Sequence, residues 1–142
     1  MNSSYTAIKN YEALIRFLGT WPSFDDFEVV SMLLKRSEDG EELWPILIIE
    51  FLGFRRDVPM ESPDRGNCLI ILRFGGIENM TLNGFNHQNA INGLVIKAHW
   101  SDRRKRDLFT VDLIQGFGVG TKFECTEIDL VSVTPTTPGA AL

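Results

Sequence analysis

Three carboxylates fall within four residues in "WPSFDDFE": Asp25, Asp26 and Glu28. Carboxylate oxygens are the usual ligands of hard cations such as Mg²⁺ and Ca²⁺. Joined by a histidine able to move a proton, here His87, they would make a small metal-dependent hydrolase. Paired carboxylates also serve glycoside hydrolysis, where they flank a sugar-binding cleft. The local spacing supports neither chemistry. The stretch lacks the further Asp/Asn and glycine positions of a calcium loop, and only the fold could bring His87 to it. A simpler reading has Asp25 or Asp26 closing the turn after Pro22, with Glu28 on the wet face of a strand. An exposed Trp21–Phe24 pair beside these carboxylates would also suit a protein partner.

The second polar constellation is "GFNHQNAING", residues 84–93. Two Asn-Gly pairs, Asn83-Gly84 and Asn92-Gly93, bracket it as turn signals. Asn86 is placed to cap a single helical turn, with Gln88 and Asn89 in that turn and Ala90 and Ile91 facing the core. His87 is left over, and sequence adjacency supplies it with neither a nucleophile nor a second metal ligand. "DRRKRD" is a short basic run clamped by Asp102 and Asp107, which reads as a solvated hairpin tip. "GFGVGTK" fails the phosphate-loop spacing, because Thr121 separates Gly120 from Lys122. No serine sits in GxSxG, and Cys68 and Cys125 have no CxxC or Cys/His partner, so they read as buried thiols. No cofactor or metal is expected.

The elements that must position these residues are mostly strands. "NYEALIRFLG" reads as a helix with Asn10 as cap, Glu12 in the first turn, a Leu14–Ile15–Leu18 stripe and Gly19 as stop. "FEVVSMLLKR" and "LWPILIIEFLGF" then form a hairpin across "SEDGEE". Five more strand segments follow: "CLIILRF", "ENMTL", "GLVIKAHW", "DLFTVDLI" and "TKFECTEIDLVSV". They predict an α+β domain, with an N-terminal helix packed on a mostly antiparallel, curved sheet of about seven strands. Residues 1–135 read as one domain and 136–142 as a flexible C-terminal tail. The chain has 142 residues, 44% of them hydrophobic and 23% charged, enough for a single core. A net charge of −5 gives no reason to bind nucleic acid or an anionic membrane and leaves room for a basic partner. No signal segment or apolar span is visible, so a cytoplasmic location is expected.

Taken as a set, "WPSFDDFEVVSMLLKR", "LRFGGIENMTLNGFNHQNAINGLVI" and "FECTEIDLVSVTP" resemble the immunity protein 50 family of bacterial polymorphic toxin systems. The resemblance runs from about Trp21 to Pro135. Its most specific part is the string formed by Phe74, Ile77, Asn79, Leu82, Phe85, Asn86, Gln88 and Asn89, with His87 inside it. The family's early motif often has histidine where this chain has Asp25, so whatever that histidine contributes to binding is absent here. The resemblance implies a non-enzymatic protein that binds and neutralises a cognate toxin domain. A basic nuclease would suit the acidic surface. Candidate contact residues are Trp21, Phe24, Asp25, Asp26 and Glu28, followed by the hairpin tip at Glu38, Asp39, Glu41 and Glu42. The residues of the family string read as structural. Two alternatives stand beside this reading: the metal-dependent hydrolase, and a self-associating module such as a homodimer formed through open sheet edges.

Overall fold

The computed structural model describes residues 4–36, 44–59, 61 and 65–136. A 3₁₀ turn at Tyr5–Ala7 leads into α1 (Glu12–Leu18). Eight strands follow: β1 (Glu28–Lys35), β2 (Ile46–Gly53), β3 (Cys68–Gly75), β4 (Glu78–Asn83), β5 (Ile91–Ser101), β6 (Arg106–Gln115), β7 (Gly120–Cys125) and β8 (Glu127–Pro135). They form two four-stranded sheets, ordered β1-β2-β3-β8 and β4-β7-β6-β5, with every neighbouring pair antiparallel. The single curved sheet of about seven strands is thus corrected to a mostly β, two-sheet arrangement in which the helix is a minor part.

Period-two patterning makes the central strands two-faced. In β2, Leu47, Ile49 and Phe51 are buried, while Ile48, Glu50 and Leu52 alternate outward and are half-buried. The buried rows of the two sheets face each other. Phe74 of β3 meets Phe123 of β7 edge-on, with ring centroids 5.1 Å apart, so the core is shared between the sheets.

The missed eighth strand has a local cause. "TKFECTEIDLVSV" reads as one strand, yet its two halves belong to different sheets. Thr126 is the corner, its N–H donating to the Gly75 carbonyl at 2.9 Å. The opposite crossing, from β3 to β4, occurs at the same place through Gly75 and Gly76. Gly76 has φ +68, and any side chain there would collide with Thr126. Glycine is needed at this corner because both chain crossings share it.

The sheets are also stitched along another side. Val29 N–H donates to Asn89 O at 3.0 Å, Ile91 N–H to Phe27 O at 3.0 Å, and Asp26 N–H to Ile91 O at 2.8 Å. The start of the chain closes further edges. Ser4 N–H reaches Ile96 O on β5, and Lys9 exchanges bonds with Ile128 O and Leu130 N–H on β8. These contacts cover strand edges that would otherwise offer unpaired backbone to other chains.

The helix begins at Tyr11 without a side-chain cap, while Asn10 adopts φ 67 instead of serving as the N-cap. Gly19 ends it as expected, left-handed at φ 88, with its N–H on Ile15 O at 2.7 Å. Seven residues are too few to be helical alone. Leu14 and Leu18, both buried in the common core, hold α1 in place. Strand β8 runs to Pro135, and Thr136 N–H donates to Asn67 O at 2.9 Å; the expected tail from 137 onward lies outside the described residues. Leu14→Ala should lower the unfolding free energy by about 2–5 kcal/mol in a urea titration with an unchanged m-value.

Candidate functional site

The carboxylates of "SFDDFE" do not converge. Asp25 and Asp26 flank the guanidinium of Arg56, whose Nη1 lies 3.8 Å from Asp25 Oδ2 and 3.3 Å from Asp26 Oδ2. The same nitrogen donates to the Asp25 carbonyl at 2.8 Å. Glu28 is used differently, its Oε2 accepting the Asn89 N–H at 2.9 Å. His87 sits on an exposed loop with Nδ1 3.0 Å from Asn86 Oδ1. Among the described residues, no three His, Cys, Asp or Glu side chains group as a metal ion would need. The four-residue set of the hydrolase reading is therefore not assembled.

Phe24 corrects the expected exposed aromatic pair. It is fully buried, adopts φ 69, and packs against Phe27 and Phe51 at centroid distances of 5.1 and 5.0 Å. The left-handed turn swings this ring inward, where it gains far more burial than on the surface. Trp21 stays half-buried, stacked on Tyr5 at 5.2 Å with planes 7° apart, and lines an open depression with Pro22, Asn92 and Gly93. Glu38, Asp39, Glu41 and Glu42 lie outside the described residues.

The "GFNHQN" loop forms a bend in place of the expected helical turn, and its organiser is Asn89. This side chain is 3% exposed. Its Oδ1 accepts from Asn86 N–H at 2.9 Å and from Val119 N–H at 3.1 Å, while its Nδ2 donates to Asn86 O at 2.8 Å. With Glu28 on its N–H and Val29 on its carbonyl, one residue fastens the loop, the turn after β6 and strand β1 together. Asn86 does cap locally, its Oδ1 accepting the His87 N–H at 2.8 Å.

The facing turn, residues 115–119, is tied down as well. Phe117 N–H donates to Ala90 O at 2.8 Å, and Gln115 Nε2 to Gly118 O at 2.6 Å. Gly84 and Gly118 take φ +78 and +83, and their backbones touch so closely that a side chain on either would collide with the opposite loop. The turn read from sequence only as a failed phosphate loop is thus one wall of an ordered site.

This arrangement displays apolar side chains among neutral polar ones. Leu82, Phe85 and Phe117 are 49%, 52% and 71% exposed. Residues 82–89 and 115–119 contain no Asp, Glu, Lys or Arg. The family string therefore divides. Phe74, Ile77 and Asn89 are buried, Asn79 donates to Glu124 Oε1 at 2.7 Å, and Asn86 shapes the loop. Leu82, Phe85, His87 and Gln88 stand exposed. Sequence alone marked Phe85 as part of a motif but could not tell that its ring points outward. Phe117 was passed over, since a lone aromatic between glycines carries no periodic signal.

A second polar group on β5, β6 and β7 was also missed. Thr110 Oγ1 and His99 Nε2 are 2.9 Å apart, and Glu124 Oε2 lies 3.7 Å from the same nitrogen. A catalytic relay needs the nucleophile and the acid on opposite ring nitrogens, so this group is a surface network. The basic run is engaged too, with Arg103 and Arg104 both paired to Glu78.

Cys68 and Cys125 are unpaired and fully buried, and burial pushes both thiols up to about 12. Because the thiolate is the reactive form, neither should be alkylated by iodoacetamide at pH 8 in the folded protein, whereas denaturant should release both. Asn89→Ala removes the acceptor for two backbone N–H groups. It should cost about 2–4 kcal/mol of stability and raise amide hydrogen exchange at Asn86 and Val119 above that at β2.

The sequence profile described as immunity protein 50 matches residues 10–136, most of the chain. Neither the curated proteins nor the solved structures include a match to it. No helix among the described residues is long and apolar enough to cross a membrane. With the family profile spanning both sheets, the Asn89-centred loop and the Gly76–Thr126 corner, the chain belongs to the immunity protein 50 family.

Proposed function

We propose that the protein binds a cognate toxin domain and neutralises it by occupying its surface, with no chemistry of its own. The family match over residues 10–136 carries this reading. Its support within the molecule is the engagement of each group singled out for catalysis. Asp25 and Asp26 face Arg56, Glu28 holds a backbone N–H, and His87 turns its ring to the Asn86 side chain. The site of action is the cytoplasm of the producing bacterium.

The net charge of −5 favours encounter with a basic toxin such as a nuclease, because complementary fields raise association rates. Under this proposal Trp21, Asp25, Asp26 and Glu28 form one contact region, with the tip at Glu38, Asp39, Glu41 and Glu42 as another. Glu28 has a second duty at Asn89 N–H, so charge reversal there would disturb the fold as well as any contact. Asp25 and Asp26 are the cleaner probes.

The test is growth rescue. The toxin domain encoded in the adjacent gene is expressed in a susceptible bacterium with and without this protein. Co-expression should restore growth to near the toxin-free rate. Continued killing while both proteins are soluble would refute the inhibitor reading.

A further inference from the structure

We infer that the toxin docks on the end of the molecule built by residues 82–88 and 115–118, with Phe85 and Phe117 as its anchors, and that it receives them in an uncharged, apolar pocket. This inference rests on the reading of the chain as a toxin inhibitor.

Both rings are large, more than half exposed, and make no ring-stacking or cation contact among the described residues. Each sits one residue from the Gly84–Gly118 backbone contact, so the two emerge at the same end of the second sheet. Other exposed rings are differently placed. Trp44 lies under the Arg104 guanidinium at 4.5 Å, and Trp100 Nε1 donates to Asp102 at 3.0 Å. Among the aromatic rings of the described residues, Phe85 and Phe117 alone combine wide exposure with an absence of polar or cationic attachment.

Their backbone is already held. Asn89 fixes the loop at Asn86, Ala90 O fixes the turn at Phe117, and Gln115 fixes Gly118. A partner that closes over these rings therefore does not bear the entropy of ordering two loops. Fixed, exposed aromatics surrounded by neutral polar groups match the centre-and-rim composition of protein interfaces.

The chemistry of the partner follows from the charge around the rings. Residues 82–89 and 115–119 carry no Asp, Glu, Lys or Arg, and the Glu28 carboxylate that reaches this loop is engaged by the Asn89 N–H, so a charge buried against the two rings would go unpaired. The matching surface is thus apolar and uncharged at its centre. The acidic region differs, since Arg56 already offsets Asp25 and Asp26. On this view net charge sets the rate of encounter, and the two rings set the lifetime of the complex.

The experiment titrates an inactivated form of the adjacent-gene toxin domain into wild-type protein by calorimetry. The same titration is run with Phe85→Ala, Phe117→Ala and an Asp25→Asn/Asp26→Asn double variant. All three variants change exposed residues, and matched melting curves show that each is folded. Each phenylalanine variant should weaken Kd by roughly 30-fold, mainly through faster dissociation. The aspartate variant, which removes charge from the acidic contact region, should weaken Kd by roughly threefold, through slower association. On the wild-type complex, hydrogen exchange should slow at 82–88 and 115–118. Wild-type binding that both phenylalanine variants retain would overturn this face and leave the inhibitor reading standing. Absence of wild-type binding would overturn both. A wild-type homodimer that dissociates on Phe85→Ala/Phe117→Ala substitution would assign the rings to self-association and overturn the toxin face.

Discussion

The hydrogen bonds of one buried side-chain amide set the geometry on which the rest of this end of the molecule depends. Asn89 has both a donor and an acceptor at its tip, and the fold uses both. Aspartate would lose the donor, and a hydrophobic residue would leave Asn86 and Val119 N–H groups without their acceptor. Leaving such buried groups unpaired costs more than the bonds themselves contribute. Because the same residue also receives β1 through Glu28 and Val29, the loop geometry is coupled to the joint between the two sheets.

Strand content was legible because alternating burial is written directly into the order of apolar and polar residues. "DLFTVDLI" and "LWPILIIEF" show it plainly, as does Gly19 at the end of the helix. The partition into two sheets was not legible. A chain that switches sheets at Thr126 keeps the same alternation on both sides of the corner, so periodicity cannot report the change. The single small residue that permits the crossing, Gly76, gains its meaning only once Thr126 is opposite it.

The placement of the candidate residues in the fold has related causes. Asp25, Asp26 and Glu28 are close in sequence, but Asp25 and Asp26 share Arg56 while Glu28 turns to the Asn89 N–H. Phe24 looked like a surface anchor beside charge, yet it completes a buried aromatic cluster with Phe27 and Phe51. Conversely, Phe85 and Phe117 are separated by 31 intervening positions and meet the solvent together only because two glycines let their loops touch. Proximity in the chain informs chemistry only where the backbone between the residues is regular.

The shared corner has a kinetic meaning as well. Strand β8 completes the first sheet by pairing with β3, made more than fifty residues earlier, and with Lys9 near the start of the chain. During synthesis, β3 must wait with one edge open until Glu127–Pro135 has been made, while local helix can contribute only seven residues. Pairings so distant along the chain close slowly, because the entropy of large loops must be overcome before their contacts form. Sheet closure is thus a late event, and a ribosome-bound fragment that stops before β8 presents an exposed, apolar strand edge in place of a closed sheet.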